Sequence, residues 1–298
     1  MDLSRIDTER ANPRTADIDK ASTLGILALM NEQDHLVAEA VRKELPSIAR
    51  AVDLIHEKLA AGGRLVYIGS GTSGRLGVLD AVECPPTFGV EDGLVLGLIA
   101  GGPGAFVKAR EGAEDDRLAG AMDLKVIGLT QKDALVGIAA SGRTPYVLGA
   151  MAYAKELGAA VIGLACTRQP QLAEFAEVMI TLLPGPEVIT GSTRLKSGTA
   201  TKMALNMLST AVMIKLGKVY GNLMVDVKAT NDKLRQRAVN ILTAVTGVSQ
   251  EEAKAALSLA GGNCKTAIVV VKRGVSMAAA EAMLQAAGGH LSKALGEE

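Results

Sequence analysis

Two short stretches carry glycines and hydroxyls at spacings suited to an anionic ligand: Gly69-Ser70-Gly71-Thr72-Ser73-Gly74 and Ser141-Gly142-Arg143-Thr144. Glycine lets the backbone approach a ligand closely. Ser70, Thr72 and Ser73 add hydroxyl donors beside the backbone N–H groups of a helix start, which suits a terminal phosphate monoester. The first stretch also satisfies G-x-G-x-x-G, the dinucleotide fingerprint, which calls for an acidic residue about 20 positions later to hold a ribose. Glu91-Asp92 stand near that spacing, but Gly93 and Leu94 place them before a strand rather than after one. That reading fits poorly. The second stretch repeats the arrangement, with Thr144 suited to an N-cap and Pro145 to a first helical turn. Either loop alone is explained equally well as a capped strand-to-helix turn; two on one sheet favour phosphate.

The surrounding pattern supplies such a sheet. Short apolar runs bounded by glycines alternate with helix-like stretches: Leu65 to Ile68, Leu94 to Ile99, Leu135 to Ala140, Val161 to Ala165 and Val178 to Leu182. This predicts an α/β fold, a parallel sheet covered by helices. The two loops follow the first and third runs, at the carboxyl ends of strands, where open parallel sheets bind ligands. Before the sheet, Thr8 to Asp19 is polar, contains Asn12-Pro13 and reads as an extended or turning arm rather than a core element. Helical spacing follows through Leu24, Leu27 and Val41, and again from Pro46 to Ile55 until Gly62-Gly63. A long helix is expected from about Thr193 to Leu216. From Val248 a small helical subdomain begins with a capping signature, Ser249 followed by Glu251-Glu252. The expected divisions are 1–50, an arm and helices; 51–225, the α/β domain that carries both loops; and 226–298, the helical subdomain.

Composition narrows the classes. With 298 residues, 48% of them apolar, the chain can fill a large core. Thirty-two basic residues balance thirty-two acidic ones, and aromatics make up 2%. Neither a field for nucleic acid nor platforms for stacking bases are indicated, so no nucleic-acid partner is expected. Cys84, Cys166 and Cys264 form no C-x-x-C pair, and His35, His56 and His290 have no metal-ligand spacing; no metal is expected. Met1-Asp2-Leu3-Ser4-Arg5 does not open a signal sequence, and no apolar stretch approaches the ~18 residues of a membrane span. A cytoplasmic protein with no membrane association is expected.

The two loops resemble those of the SIS, or sugar isomerase, domain, a five-stranded parallel α/β fold that recognises phosphosugars. Matched residue by residue, Ser73, Ser141 and Thr144 stand at its usual phosphate-contacting positions. Ala139 and Ala140 depart from the polar residues many relatives carry there. Further stretches are similar to one SIS family, the N-acetylmuramic acid 6-phosphate etherases: Thr8-Glu9-Arg10-Ala11-Asn12-Pro13, Glu83-Cys84-Pro85-Pro86-Thr87-Phe88-Gly89, Ala113-Glu114-Asp115-Asp116 and Gly185-Pro186-Glu187-Val188-Ile189-Thr190-Gly191-Ser192-Thr193-Arg194-Leu195-Lys196. The last is shared with glucokinase regulatory proteins, which have two SIS domains where a chain of this length has one.

The resemblance implies removal of the D-lactyl ether at C3, giving N-acetylglucosamine 6-phosphate and D-lactate during cell-wall recycling. The chemistry asks for little beyond acid and base. An unactivated ether resists direct hydrolysis, but in the open-chain sugar the C2 proton lies beside an aldehyde. Its removal lets lactate leave from C3, and water then adds to the unsaturated aldehyde. A base and an acid suffice, with no metal or redox cofactor. Glu83 and Glu114 match the family's acid/base positions, Glu83 as donor to lactate and Glu114 as base at C2. A protonated donor would follow from burial of Glu83 beside Cys84, Pro85 and Pro86. Glu187, Ser192, Arg194 and Lys196 are candidate substrate contacts, although Arg194 and Lys196 suit a structural ion pair equally. The resemblance further implies a homodimer and a C-terminal UBA-like module. An aldose–ketose phosphosugar isomerase and a non-catalytic phosphosugar sensor are the alternatives.

Overall fold

A computed structural model describes residues 7–108, 110–227 and 232–297. Met1-Asp2-Leu3-Ser4-Arg5, read above for a leader, lies outside them.

Five parallel strands form one sheet in the order β2-β1-β3-β4-β5: β1 Leu65–Gly69, β2 Val95–Ile99, β3 Ala134–Ile138, β4 Ala160–Ala165 and β5 Val178–Thr181. β1, β3 and β4 are buried along their whole length, which explains their unbroken apolar sequences: helices cover both faces. On one face Val66, Ile68, Leu135 and Val161 share a core with α4, Arg117–Val126, and α5, Pro145–Leu157. These two helices approach closely because a Cβ on Gly120 would lie 2.0 Å from the Tyr146 carbonyl oxygen, and one on Gly149 1.8 Å from that of Arg117. Tyr67 points the other way, and its hydroxyl donates to the buried Asp80 carboxylate (2.9 Å) on α3, Gly71–Phe88. Asp80 also accepts from Asn206 (2.6 Å) and Ser209 (3.2 Å) of α6, Lys196–Lys215. The carboxylate thereby pins β1, α3 and α6 together.

The helices before the sheet are α1, Thr23–Lys43, and α2, Leu45–Ala60, with Pro46 in the first turn as its fixed φ favours. The arm is not loose. It folds into 3₁₀ turns at Asp7–Glu9, Pro13–Thr15 and Ile18–Lys20, with Thr8, Asn12 and Thr15 buried.

The chain divides into two compact units, one running to Val82 and including Gly93–Ser209, the other formed by Glu83–Asp92 with the chain from Thr210 onward. Because the second unit takes in a segment from the end of α3, no single cut along the sequence expresses the division. Its helices are α7 Asp232–Thr246, α8 Gln250–Leu259, α9 Cys264–Arg273, α10 Met277–Ala286 and α11 Leu291–Leu295. Ser249 caps α8 in a capping box with Glu252, and Asn263 caps α9. Among the described residues no helix is long and apolar enough to cross a membrane.

Candidate active site

The chain leaves β1 for β2 on one side and β3 for β4 on the other, so the crevice of the sheet opens between the carboxyl ends of β1 and β3. Those strands pair in register, Gly69 opposite Ile138, and each is followed by one of the hydroxyl loops. In the first loop the helix starts inside the glycine motif, at Gly71, so Thr72 and Ser73 lie in its first turn. The turn is that tight only because side chains are missing. A Cβ on Gly74 would lie 2.7 Å from the Gly69 oxygen and 2.7 Å from Ile99 Cγ1. Ser70, Thr72 and Ser73 are half-buried around this helix start, where unpaired N–H groups and the helix dipole favour an anion.

The second loop turns at Gly142, whose φ of 71° is left-handed and whose missing Cβ would lie 2.4 Å from Pro170 Cβ. Thr144 occupies the N-cap of α5 with Pro145 behind it, as expected, but its side chain makes no capping hydrogen bond. Ser141, Arg143 and Thr144 are half-buried, and Arg143 Nε is a buried donor without a hydrogen-bond partner. A buried unpaired donor costs roughly 1–3 kcal/mol, which an anion in the crevice would offset.

Glu114 comes to the first loop from the β2–α4 connection. Ser70 Oγ donates to Glu114 Oε2 at 3.1 Å. The glutamate sits on a 3₁₀ turn, Ala113–Asp115, entered through left-handed Gly112 and followed by Asp116, which accepts from the N–H groups of Leu118 and Ala119 and so caps α4. Arg75, on the second turn of α3, clamps the same connection by donating to the carbonyls of Ala105 (2.8 Å) and Phe106 (2.9 Å). Arg75 was not singled out from sequence, and nothing there marks it: an arginine on a helix surface has no visible link to carbonyls 30 positions away.

Glu83 departs from expectation. Successive helix positions turn by 100°, and here Cys84 takes the inward direction, 2% exposed, leaving Glu83 exposed. Burial beside Cys84, Pro85 and Pro86 therefore does not occur within one chain.

The stretch from Gly185 to Lys196 also has a different use from the one expected of its charges. Glu187 and Lys196 are fully buried. The Glu187 carboxylate accepts from the backbone N–H groups of Lys196 (2.9 Å) and Ser197 (2.9 Å), capping α6. Lys196 Nζ donates to Gln33 Oε1 (3.1 Å) and the Pro184 carbonyl (3.0 Å). Burial holds its ammonium below the ordinary lysine range, while the Glu187 charge pulls the other way. Asn12 Nδ2 donates to the same Gln33 oxygen (2.8 Å) and to the Pro186 carbonyl (3.3 Å), and Thr15 Oγ1 to that of Val188 (2.8 Å). The two distant motif stretches are thus halves of one buried polar network, in which Glu187 and Lys196 are both fully buried. Ser192 is half-buried and Arg194 exposed. The capped start of α6 borders the first loop: a Cβ on Gly198 would lie 3.6 Å from Thr72 Cγ2. Substituting Glu187→Ala orphans two helix N–H groups and removes the carboxylate that most favours the Lys196 charge, and is expected to cost about 3 kcal/mol. A lowered urea midpoint at unchanged slope measures it.

Residues 47–155 match the family model of the glucokinase regulatory protein N-terminal SIS domain, 117–211 that of the SIS domain, and 221–261 that of the C-terminal lid domain of glucokinase regulatory protein. The N-acetylmuramic acid 6-phosphate etherase of Mycolicibacterium smegmatis is 56% identical over 91% of this chain and 91% of its own. That of Escherichia coli O81 is 53% identical over 100% of both chains. The chain belongs to the N-acetylmuramic acid 6-phosphate etherase family. Among solved structures, phosphoheptose isomerase from Neisseria gonorrhoeae is similar at 19% identity, covering 63% of this chain and 96% of its own, with a TM-score of 0.49. The two hydroxyl loops follow paired strands at the crevice, and Glu114 is hydrogen-bonded to Ser70 of the first.

Proposed function

We propose that the protein removes the D-lactyl ether from C3 of N-acetylmuramic acid 6-phosphate, giving N-acetylglucosamine 6-phosphate and D-lactate in the recycling of cell-wall amino sugars. The observation that carries this reading is the hydrogen bond from Ser70 to Glu114, which sets a carboxylate beside the loop that would anchor a phosphosugar.

In this reading Ser70, Thr72, Ser73, Ser141, Thr144, the Gly142 backbone and Arg143 hold the phosphate of the open-chain sugar. Glu114 takes the C2 proton, which the adjacent aldehyde makes removable. The C2–H electron pair becomes the C2–C3 double bond as the C3–O bond breaks, and the departing lactate oxygen receives a proton from Glu83. Water then adds its oxygen to C3, and C2 regains a proton, so one water is consumed per ether cleaved. In ¹⁸O-water the label should enter the sugar at C3 and not the lactate. Failure of folded protein to release D-lactate, or label in the lactate, overturns the reading.

The acting species is a homodimer. Leu118, Met122 and Val126 are 79%, 56% and 81% exposed at successive turns of α4, an apolar stripe that begins one turn beyond Glu114. Beside it Val78, Leu98, Pro103, Phe106, Val107 and Val126 line a groove of about 420 Å³. A second copy laid on this face would exclude water from the neighbourhood of Glu114. Met122→Glu is expected to give a monomer by sedimentation with at least about tenfold lower turnover, because a desolvated charge opposes association. A Met122→Glu dimer of full activity places the interface elsewhere. Cys84, Cys166 and Cys264 are buried and outside any disulfide, which accords with action in the cytoplasm.

A further inference from the structure

Ser70 faces two acceptors with one proton. Its hydroxyl donates to Glu114 Oε2 at 3.1 Å, and it also belongs to the loop that would receive the phosphate. The backbones on both sides are fixed. Ser70 accepts at its carbonyl from Gly74 N (3.1 Å), and the connection bearing Glu114 is held by Arg75 and by the Asp116 cap. A serine hydroxyl has a single O–H that rotates freely, so it can serve the carboxylate or a phosphate oxygen but not both. The rotor is the part free to move.

From this we infer that Ser70 makes the Glu114 base conditional on the phosphate of its substrate. Resting on the proposed roles of Glu114 and the loop, the step is an exchange of one hydrogen bond. With no phosphate in the loop, the Ser70 hydroxyl engages one of the acceptor sites of the Glu114 carboxylate, and that hydrogen bond must be given up as the carboxylate charge passes to the C2 proton. A phosphate dianion seated among Ser70, Thr72 and Ser73 is the stronger acceptor and draws the hydroxyl round to itself. Oε2 is then released toward C2. Sugars without a phosphate meet a carboxylate still engaged by Ser70, so Ser70 is a positioning and specificity residue acting through Glu114.

The test separates the sugar from its phosphate. Full-length protein is incubated in D₂O with unphosphorylated N-acetylglucosamine, and exchange at C2 is followed by NMR with and without phosphite dianion. Wild-type exchange should rise about tenfold when phosphite binds, the scale of one hydrogen bond to a charged group. In Ser70→Ala the exchange without phosphite should itself rise about tenfold and respond to phosphite by less than about twofold. A gain in basal rate is not what damage to the loop produces. Wild-type exchange that phosphite fails to stimulate overturns the inference. So does a Ser70→Ala protein with unchanged basal exchange and undiminished stimulation at higher phosphite, for Ser70 is then a phosphate ligand only. Glu114→Gln distinguishes the underlying reading: exchange that survives in it removes the base assignment, whereas exchange lost there and unaltered in Ser70→Ala removes the coupling alone.

Discussion

Glu114→Gln lowers turnover of N-acetylmuramic acid 6-phosphate by about a thousandfold, the range of a lost general base, while leaving affinity for N-acetylglucosamine 6-phosphate within about threefold of wild type. The substitution is chosen for what it keeps. A glutamine oxygen still accepts the 3.1 Å hydrogen bond from Ser70, and the 3₁₀ turn between Gly112 and the Asp116 cap does not depend on the side chain. Only the capacity to take a proton is removed. The defect should fall on kcat and on solvent deuterium incorporation at C2 of the product alike, since both require the same proton transfer. A variant that loses D-lactate release but still exchanges C2 would show that another group is the base.

The way the site was legible in the sequence follows from what each residue type is for. Glycines and hydroxyls are informative because close backbone approach and donor density require particular residues at particular spacings. The loops after β1 and β3 were readable for that reason, and so were the buried strands that present them. Charge is less informative, since a lysine or glutamate has the same letter whether it meets a substrate or a helix terminus. Lys196 and Glu187 lie in a polar stretch that invites a binding role. Their burial follows from the arm, where Asn12 and Thr15 close over Pro186 and Val188, and that is a contact across more than 170 positions. The same long reach hides the start of α6. The run from Thr193 is polar enough to begin a helix, but the helix begins at Lys196, where the Glu187 carboxylate receives its first free N–H groups.

Helix phase explains the remaining departure and bears on the second reaction step. Next to Cys84 and two prolines, Glu83 reads as a buried acid, yet the 100° advance between neighbours gives the interior to Cys84 and solvent to Glu83. A donor at the departing oxygen is needed only where the leaving group takes a proton, and the requirement for Glu83 should vanish for one that does not. Glu83→Ala should therefore lower D-lactate release by about a thousandfold, yet leave C2 exchange on N-acetylglucosamine 6-phosphate within about threefold of wild type. On a 3-deoxy-3-fluoro analogue, where fluoride departs unprotonated, the same variant should eliminate within about tenfold of the wild-type rate. Equal losses with lactate and fluoride would mean that Glu83 acts on the C2 step or on the fold. Loss with lactate alone assigns it to the departing oxygen.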